Sequence, residues 1–234
     1  MKKIISSDAL STAQSFADHF AERVEQSHVF HIALSGGSTP KILFELLADE
    51  YEEEIEWNKV HFWWGDERCV IPTDDDSNYK MTKEKLFDYI SIPEGNIHRV
   101  LGENNPVDEA IRYGKLVDDL LPIERGQPVF DLIMLGMGGD GHTASIFPHE
   151  IELLKDEATC AVATHPVSGQ KRVTLNGPAI QNAKEICFLV TGEGKADKLD
   201  EIFHQKEGYL NYPAAHFNGE HVIWFLDEAA ASKI

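Results

Sequence analysis

Phe130-Asp131-Leu132-Ile133-Met134-Leu135-Gly136-Met137-Gly138-Gly139-Asp140-Gly141-His142-Thr143-Ala144-Ser145-Ile146-Phe147-Pro148 is the stretch whose reading decides the fold. Its first part is a short apolar run, bounded by Pro128 upstream and by glycines downstream, which fits a strand buried on both faces. Its second part is a turn. The glycines let the backbone approach a ligand closely, and Asp140 and His142 place a carboxylate and an imidazole in the same loop. Chemistry is expected there.

Outward from this stretch, strand and helix patterns alternate. Ala13, Phe16, Ala17, Phe20 and Val24 recur at helical spacing, so 8–26 reads as an amphipathic helix with Ser7 near its N-cap. A strand over 29–34 runs into Ser35-Gly36-Gly37-Ser38-Thr39-Pro40, and a helix follows with Thr39 as N-cap and Pro40 in its first position. A strand over 60–64, a polar loop from Gly65 to Tyr79, and helices over 80–87 and 107–121 come next. After the strand over 130–135, strands are expected over 158–163, 172–175, 186–190 and 222–226, with helices over 178–182 and 195–204. This alternation predicts an α/β fold, a mainly parallel sheet with helices on both faces. In such sheets ligands gather outside the carboxyl ends of the strands. The loops after Leu34, Trp64, Leu135 and Val190 are therefore the expected walls of a site.

At 234 residues, with no seam in composition, the chain is expected to be one domain over 1–234. A formal net charge of -19 opposes binding to nucleic acid or to an anionic membrane surface. No apolar segment is long enough to cross a bilayer, and Ile4-Ile5 give way at once to Ser6-Ser7-Asp8, too short a run for a secretory signal, so a cytoplasmic location is expected. Cys69, Cys160 and Cys187 are widely spaced and suggest neither disulfides nor a structural metal. Monomer and small homo-oligomer are both open. An anionic substrate would need a local positive pocket, since salt damps longer-range fields beyond about 8 Å.

Several residues could build one. The amides and hydroxyls of the Ser35, Gly36, Gly37, Ser38 and Thr39 turn can cradle a phosphate at a helix start, or can simply form a capped turn. The turn lacks the ending of a P-loop, so triphosphate hydrolysis is not indicated. In Asp66-Glu67-Arg68, Arg68 can grip a phosphate or carboxylate through two parallel hydrogen bonds, and Asp66 can fix a sugar hydroxyl or orient a cation. The plainer reading is a surface ion pair worth at most about 1 kcal/mol. Arg172 and Lys195 are the other cations placed to meet an anion, or to face solvent. Asp74-Asp75-Asp76 reads as a solvated acidic run, not a calcium loop. Residues 136–141 satisfy G-x-G-x-x-G after a strand, which raises a dinucleotide-binding reading. Against it, no acidic residue stands ready for a ribose at the end of the next strand, and His142 occupies the place of a plain helix start. An imidazole with a reference pKa of ~6.5 can act as a neutral base near pH 7, and Asp140 is placed to orient it.

Taken in order, these segments resemble the 6-phosphogluconolactonase family. The resemblance runs through Leu34-Ser35-Gly36-Gly37-Ser38-Thr39-Pro40, Gly65-Asp66-Glu67-Arg68-Cys69-Val70, Ser77-Asn78-Tyr79, the 135–148 block, Arg172-Val173-Thr174-Leu175 and Thr191-Gly192-Glu193-Gly194-Lys195-Ala196. It implies a modified Rossmann-like domain and hydrolysis of a sugar-phosphate lactone in the oxidative pentose phosphate pathway. His142 would activate water. Arg68, Lys195 and the 35–39 turn would hold the phosphate, with Arg172 nearby. Such chemistry needs a base, an oxyanion donor and a phosphate handle, but no metal or redox cofactor. One departure is 165–171, shorter and poorer in proline than the family usually shows. A glucosamine-6-phosphate deaminase or isomerase could share the phosphate site, as could a non-catalytic sugar-phosphate sensor. Asp66-Glu67-Arg68 with Ser77-Asn78-Tyr79 favours the lactonase, and the chain has no basic patch for a sensor's DNA-binding extension.

Overall fold

Apolar runs that do not alternate belong in the middle of a parallel sheet, where both faces are covered. In a computed structural model, which describes residues 1–234, the chain forms strands β1 (Lys2–Ser6), β2 (Phe30–Leu34), β3 (Val60–Trp64), β4 (Asp66–Arg68), β5 (Ile123–Glu124), β6 (Gln127–Pro128), β7 (Leu132–Leu135), β8 (Cys160–Thr164), β9 (Lys171–Leu175), β10 (Ile186–Val190) and β11 (Val222–Asp227). The helices are α1 (Ala9–Glu25), α2 (Ser38–Glu50), α3 (Asn78–Thr82), α4 (Pro106–Leu120), α5 (Gly177–Gln181) and α6 (Ala196–Phe203). Six strands make the main sheet in the order β1-β11-β10-β7-β2-β3, every pair parallel. The expected α/β architecture is present. Every residue of β7, β10 and β11 is buried, as unalternating strands in the sheet interior require.

Helix α1 buries Ala13, Phe16, Ala17, Phe20 and Val24, the face its spacing predicts. Phe16 packs edge-on against Phe225 of β11 at 5.3 Å between ring centroids. Full burial of such a side chain contributes ~1.5–3 kcal/mol, so Phe16→Ala would leave one of the more costly cavities in the core.

The chain leaves β2 toward β3 on one side, whereas β7 leads on to β10 and β11 on the other. Connections from these adjacent strands diverge, so a crevice opens between their carboxyl ends. Ser35 Oγ donates to Met134 O at 2.7 Å and pins the two strands together at the floor of that crevice.

Ser7 lies next to the cap of α1, as expected, and the cap itself is Asp8, whose carboxylate accepts from Ser11 N at 2.8 Å. Several local expectations are corrected. The cap of α2 is Gly37, two residues before Thr39, so the helix starts at Ser38. Pro40 then sits third in the first turn, where a missing N–H still costs no helical bond. Four strands were not read from the sequence: β1, β4 and the two-residue strands β5 and β6, which pair with each other. In β1, Lys2 and Lys3 mask a half-exposed edge strand paired to β11. In β4, three consecutive charged residues pair antiparallel with β9 in a second, three-stranded sheet, β4-β9-β8. The helix expected over 80–87 divides into α3 and a π-helical turn, Lys83–Phe87.

Candidate active site

A cleft of about 250 Å³ opens at the crevice between β2 and β7. Its walls are the four loops anticipated at the strand ends. Ser35, Gly36, Gly37, Ser38, Thr39, Asp66, Arg68, His142, Arg172 and Lys195 all line it, and Asp140 stands directly behind His142.

The wall after β2 is made largely of backbone. Gly37 adopts φ +119 to turn the chain into α2, whose first-turn amides have no partner within the helix and lie at the cleft. Gly36 must be glycine for a different reason. A Cβ there would stand 1.8 Å from Asn78 Oδ1. With Thr39 released from capping, its hydroxyl meets that of Thr191 at 2.8 Å and ties this wall to the turn after β10. That turn carries Lys195, whose Nζ donates to Met137 O at 2.7 Å.

The wall after Trp64 is held from behind by Glu67. Its buried carboxylate accepts from the backbone amides of Arg68 (2.7 Å), Asn78 (2.8 Å) and Tyr79 (2.8 Å) and from Ser77 Oγ (3.2 Å). Burial pushes the Glu67 carboxyl up while those amides pull it down. Asn78 Nδ2 completes the corner by donating to Asp66 O at 2.9 Å. The Arg68 guanidinium donates from Nη1 to Asp76 O at 2.5 Å. In the acidic run, Asp75 pairs with Lys80 at 2.5 Å and Asp74 accepts from Asp76 N at 2.9 Å, so these carboxylates turn to local partners.

Asp66 is buried and does more than its sequence reading assigned. Its Oδ2 accepts from Ser145 Oγ at 2.6 Å and lies 3.8 Å from Arg172 Nη1. Arg172 is brought to the cleft by β9, which pairs Arg172 with Arg68 across the second sheet. The short 165–171 segment closes a tight β8–β9 hairpin, with His165 N donating to Gln170 O at 3.0 Å, and this directs Arg172 inward. Burial pulls the Arg172 guanidinium and the Lys195 ammonium below their usual values. The buried Nε atoms of Arg68 and Arg172 have no hydrogen-bond partner. Unmet cationic donors are costly unless an anion meets them, and both belong to residues that line the cleft.

The wall after β7 presents the imidazole. His142 Nδ1 is 2.6 Å from Asp140 Oδ1, and this bond holds the Asp140 carboxyl down to about 2. An ionised carboxylate only accepts, so neutral His142 carries its proton on Nδ1 and keeps the Nε2 lone pair free. Gly138 makes room for this pair. A Cβ there would lie 2.2 Å from His142 Nδ1 and 2.7 Å from Asp140 Oδ1. Beyond His142 the loop is locked. Thr143 Oγ1 donates to Gly136 O at 2.8 Å, Ala144 takes the left-handed region at φ +47, and Ser145 turns away to bond Asp66. Such a conformation costs an L-residue roughly 1–2 kcal/mol, and here it is held by hydrogen bonds on either side.

After Leu135 no helix begins before the 3₁₀ turns at Pro148. The glycines therefore do not set a pyrophosphate on a helix start, and the dinucleotide reading loses its structural basis. The one cluster of possible metal-ligating atoms, His19, Glu185 and Cys187, lies at the opposite edge of the sheet. There Glu185 is already paired with His19 at 2.7 Å and Arg23 at 3.2 Å. Sequence reasoning assigned no role to Glu67, Asn78, Ser145 or Thr191. All four lie in motifs that carried the resemblance, but the contacts that give them their roles join segments apart in the chain, such as Ser145 with Asp66 and Thr191 with Thr39.

The chain is thus an α/β enzyme with a cationic cleft at a topological switch point and a carboxylate-paired imidazole in its wall. It belongs to the family described as glucosamine-6-phosphate isomerases/6-phosphogluconolactonase, whose model matches residues 6–224. It is 46% identical over 226 residues to the 6-phosphogluconolactonase of Haemophilus influenzae, covering 94% of this chain and 95% of that one. The crystal structure of devB protein has a TM-score of 0.95 at 46% identity, covering 100% of this chain and 99% of that one. The 6-phosphogluconolactonase from Trypanosoma cruzi has a TM-score of 0.86 at 29% identity, covering 100% and 96%. No helix is long and apolar enough to cross a membrane.

Proposed function

We propose that residues 1–234 act as one domain that hydrolyses 6-phospho-D-glucono-1,5-lactone to 6-phosphogluconate, the lactone-opening step of the oxidative pentose phosphate pathway. The observation that carries this reading is the 2.6 Å Asp140–His142 pair at the edge of a cation-lined cleft. His142 Nε2 takes a proton from water as the oxygen adds to the lactone carbonyl, and it returns that proton to the ring oxygen as the ring C–O bond breaks. Asp140 keeps the ring in the tautomer this requires and stabilises the imidazolium that forms. Backbone amides of the glycine turns stabilise the oxyanion. The 35–39 turn, Arg68 and Lys195 hold the phosphate, with Arg172 beside it and Asp66 fixing a sugar hydroxyl. Each step is a proton transfer or an acyl transfer, so the residues present suffice.

The relatives named as 6-phosphogluconolactonases support the substrate. The family description also includes glucosamine-6-phosphate isomerases, which makes ammonia release from glucosamine 6-phosphate the necessary control. The test uses freshly made 6-phosphogluconolactone beside the unphosphorylated lactone, with spontaneous hydrolysis subtracted. Faster turnover of the phosphorylated lactone, without ammonia release from glucosamine 6-phosphate, is expected. Equal rates on the two lactones, or ammonia release, would overturn the reading.

A further inference from the structure

The turn that carries Lys195 has no obvious support of its own. After Val190 the chain leaves the sheet, Gly192 takes φ +95, and Gly192 O accepts from Lys195 N at 3.0 Å before α6 begins. The Gly192 amide points back toward β11, beyond the last paired residues of the two strands, Val190 and Leu226. A side chain meets it there. Asp227, the last residue of β11 and only 6% exposed, accepts the Gly192 amide at 2.9 Å through Oδ1 and at 3.0 Å through Oδ2. The same Oδ1 accepts from Ala230 N at 2.7 Å, which fixes the carboxylate from the other side.

We propose that Asp227 is a positioning residue for the phosphate-holding wall: anchored by the Ala230 amide, it sets the Gly192 turn and through it the reach of Thr191 and Lys195 into the cleft. This rests on the functional reading above, in which Lys195 meets the phosphate. Asp227 does not itself line the cleft. Its effect travels along a short chain of contacts. The turn it holds places Thr191 Oγ1 2.8 Å from Thr39 Oγ1 and Lys195 Nζ 2.7 Å from Met137 O. Those contacts join the anion wall after β2 to the loop after β7. The Asp140–His142 pair is held by separate bonds within its own loop, from Gly138 N to His142 O at 2.9 Å and from Thr143 Oγ1 to Gly136 O. Loss of Asp227 is therefore felt by the phosphate and spared the base. A charged partner that accepts two amides is hard to replace, because alanine leaves both N–H groups without an acceptor and asparagine keeps only one accepting oxygen for them.

The test measures kcat and KM of Asp227→Ala and Asp227→Asn on phosphorylated and unphosphorylated lactone, with a thermal melt of each variant. In Asp227→Ala, KM for the phosphorylated lactone should rise roughly tenfold or more, since small misplacements of binding groups are amplified in this way. Its kcat should stay within about threefold, and kcat/KM on the unphosphorylated lactone should not change, as a purely uniform binding loss predicts. Asp227→Asn should shift the same parameter less, because Oδ1 can still accept from the Gly192 and Ala230 amides and only the Oδ2 contact is lost. Equal losses on both lactones would reduce Asp227 to a scaffold residue and overturn the proposal. So would wild-type phosphate selectivity in Asp227→Ala, or in Asp227→Asn should the alanine variant fail to fold. A wild-type enzyme with no preference for the phosphorylated lactone would instead defeat the functional reading itself.

Discussion

Histidines cluster at both edges of the main sheet, and the two clusters differ in what surrounds them. At the amino edge, His31 and His61 are paired across β2 and β3 with ring centroids 4.8 Å apart, and His98 stacks on Trp63 at 4.0 Å. One nitrogen of each ring has an internal partner. Trp63 Nε1 donates to His31 Nδ1 at 3.1 Å, and His61 Nδ1 meets His98 Nε2 at 3.0 Å. Burial, together with neighbouring imidazoles, holds His31 and His98 down to about 4, so they are neutral packing groups at pH 7. At the carboxyl edge, His142 packs on Phe147 at 4.7 Å, but one of its nitrogens faces an ionised carboxylate and the ring borders the cleft. Aromatic stacking is common to both edges. A carboxylate partner and a place beside the cationic cleft distinguish His142 from the others.

The largest effect expected from this contrast is on turnover. His142→Ala should lower kcat by roughly 10²–10⁴, the range for loss of a general base, in a steady-state assay corrected for spontaneous hydrolysis. His98→Ala should leave kcat within about twofold. Wild-type kcat in the first variant, or a large loss in the second, would erase the distinction between the two edges. Next in size is the anion wall, where Arg68→Ala should raise KM roughly tenfold or more with a much smaller change in kcat, as loss of a charge-assisted phosphate contact predicts.

Stability effects belong to the amino edge and are smaller. The unfolded imidazoles titrate near 6.5, whereas folded His31 and His98 titrate near 4. Between those values the unfolded chain binds more protons, so this contribution is fully present above about pH 6.5 and is lost as pH falls toward 4. Asp131 opposes the depression at His31, and Lys184 and His61 reinforce it. Urea unfolding at stepped pH should show stability falling over that window, with a shallower fall in His98→Ala. That variant should also melt roughly 2–6 °C lower at neutral pH, the usual effect of losing one packed side chain in a chain of this size.

Much of the architecture was legible because it rests on patterns that local chemistry cannot disguise. The unalternating runs of β7, β10 and β11 fit interior parallel strands, and glycine-rich loops follow β7 and β10 directly. The cleft was legible for the same reason, since its lining residues sit at strand ends. What escaped notice depends on contacts between distant residues or on elements with little apolar character. β4 is three charged residues and becomes a strand only because β9 pairs with it. Ser145 and Asp66 are 79 positions apart and meet through a single hydroxyl. Thr39 looked like a cap because Ser and Thr hydroxyls favour that role, yet Gly37 took it and freed the hydroxyl for Thr191.

The central claim is that His142 acts by accepting a proton and not merely by filling space beside Asp140. His142→Gln tests it most directly, because glutamine can hydrogen-bond the Asp140 carboxylate yet has no basic nitrogen near neutral pH. The measurement is kcat on 6-phosphogluconolactone with spontaneous hydrolysis subtracted. A loss as large as in His142→Ala is predicted; a kcat near wild type would contradict the account.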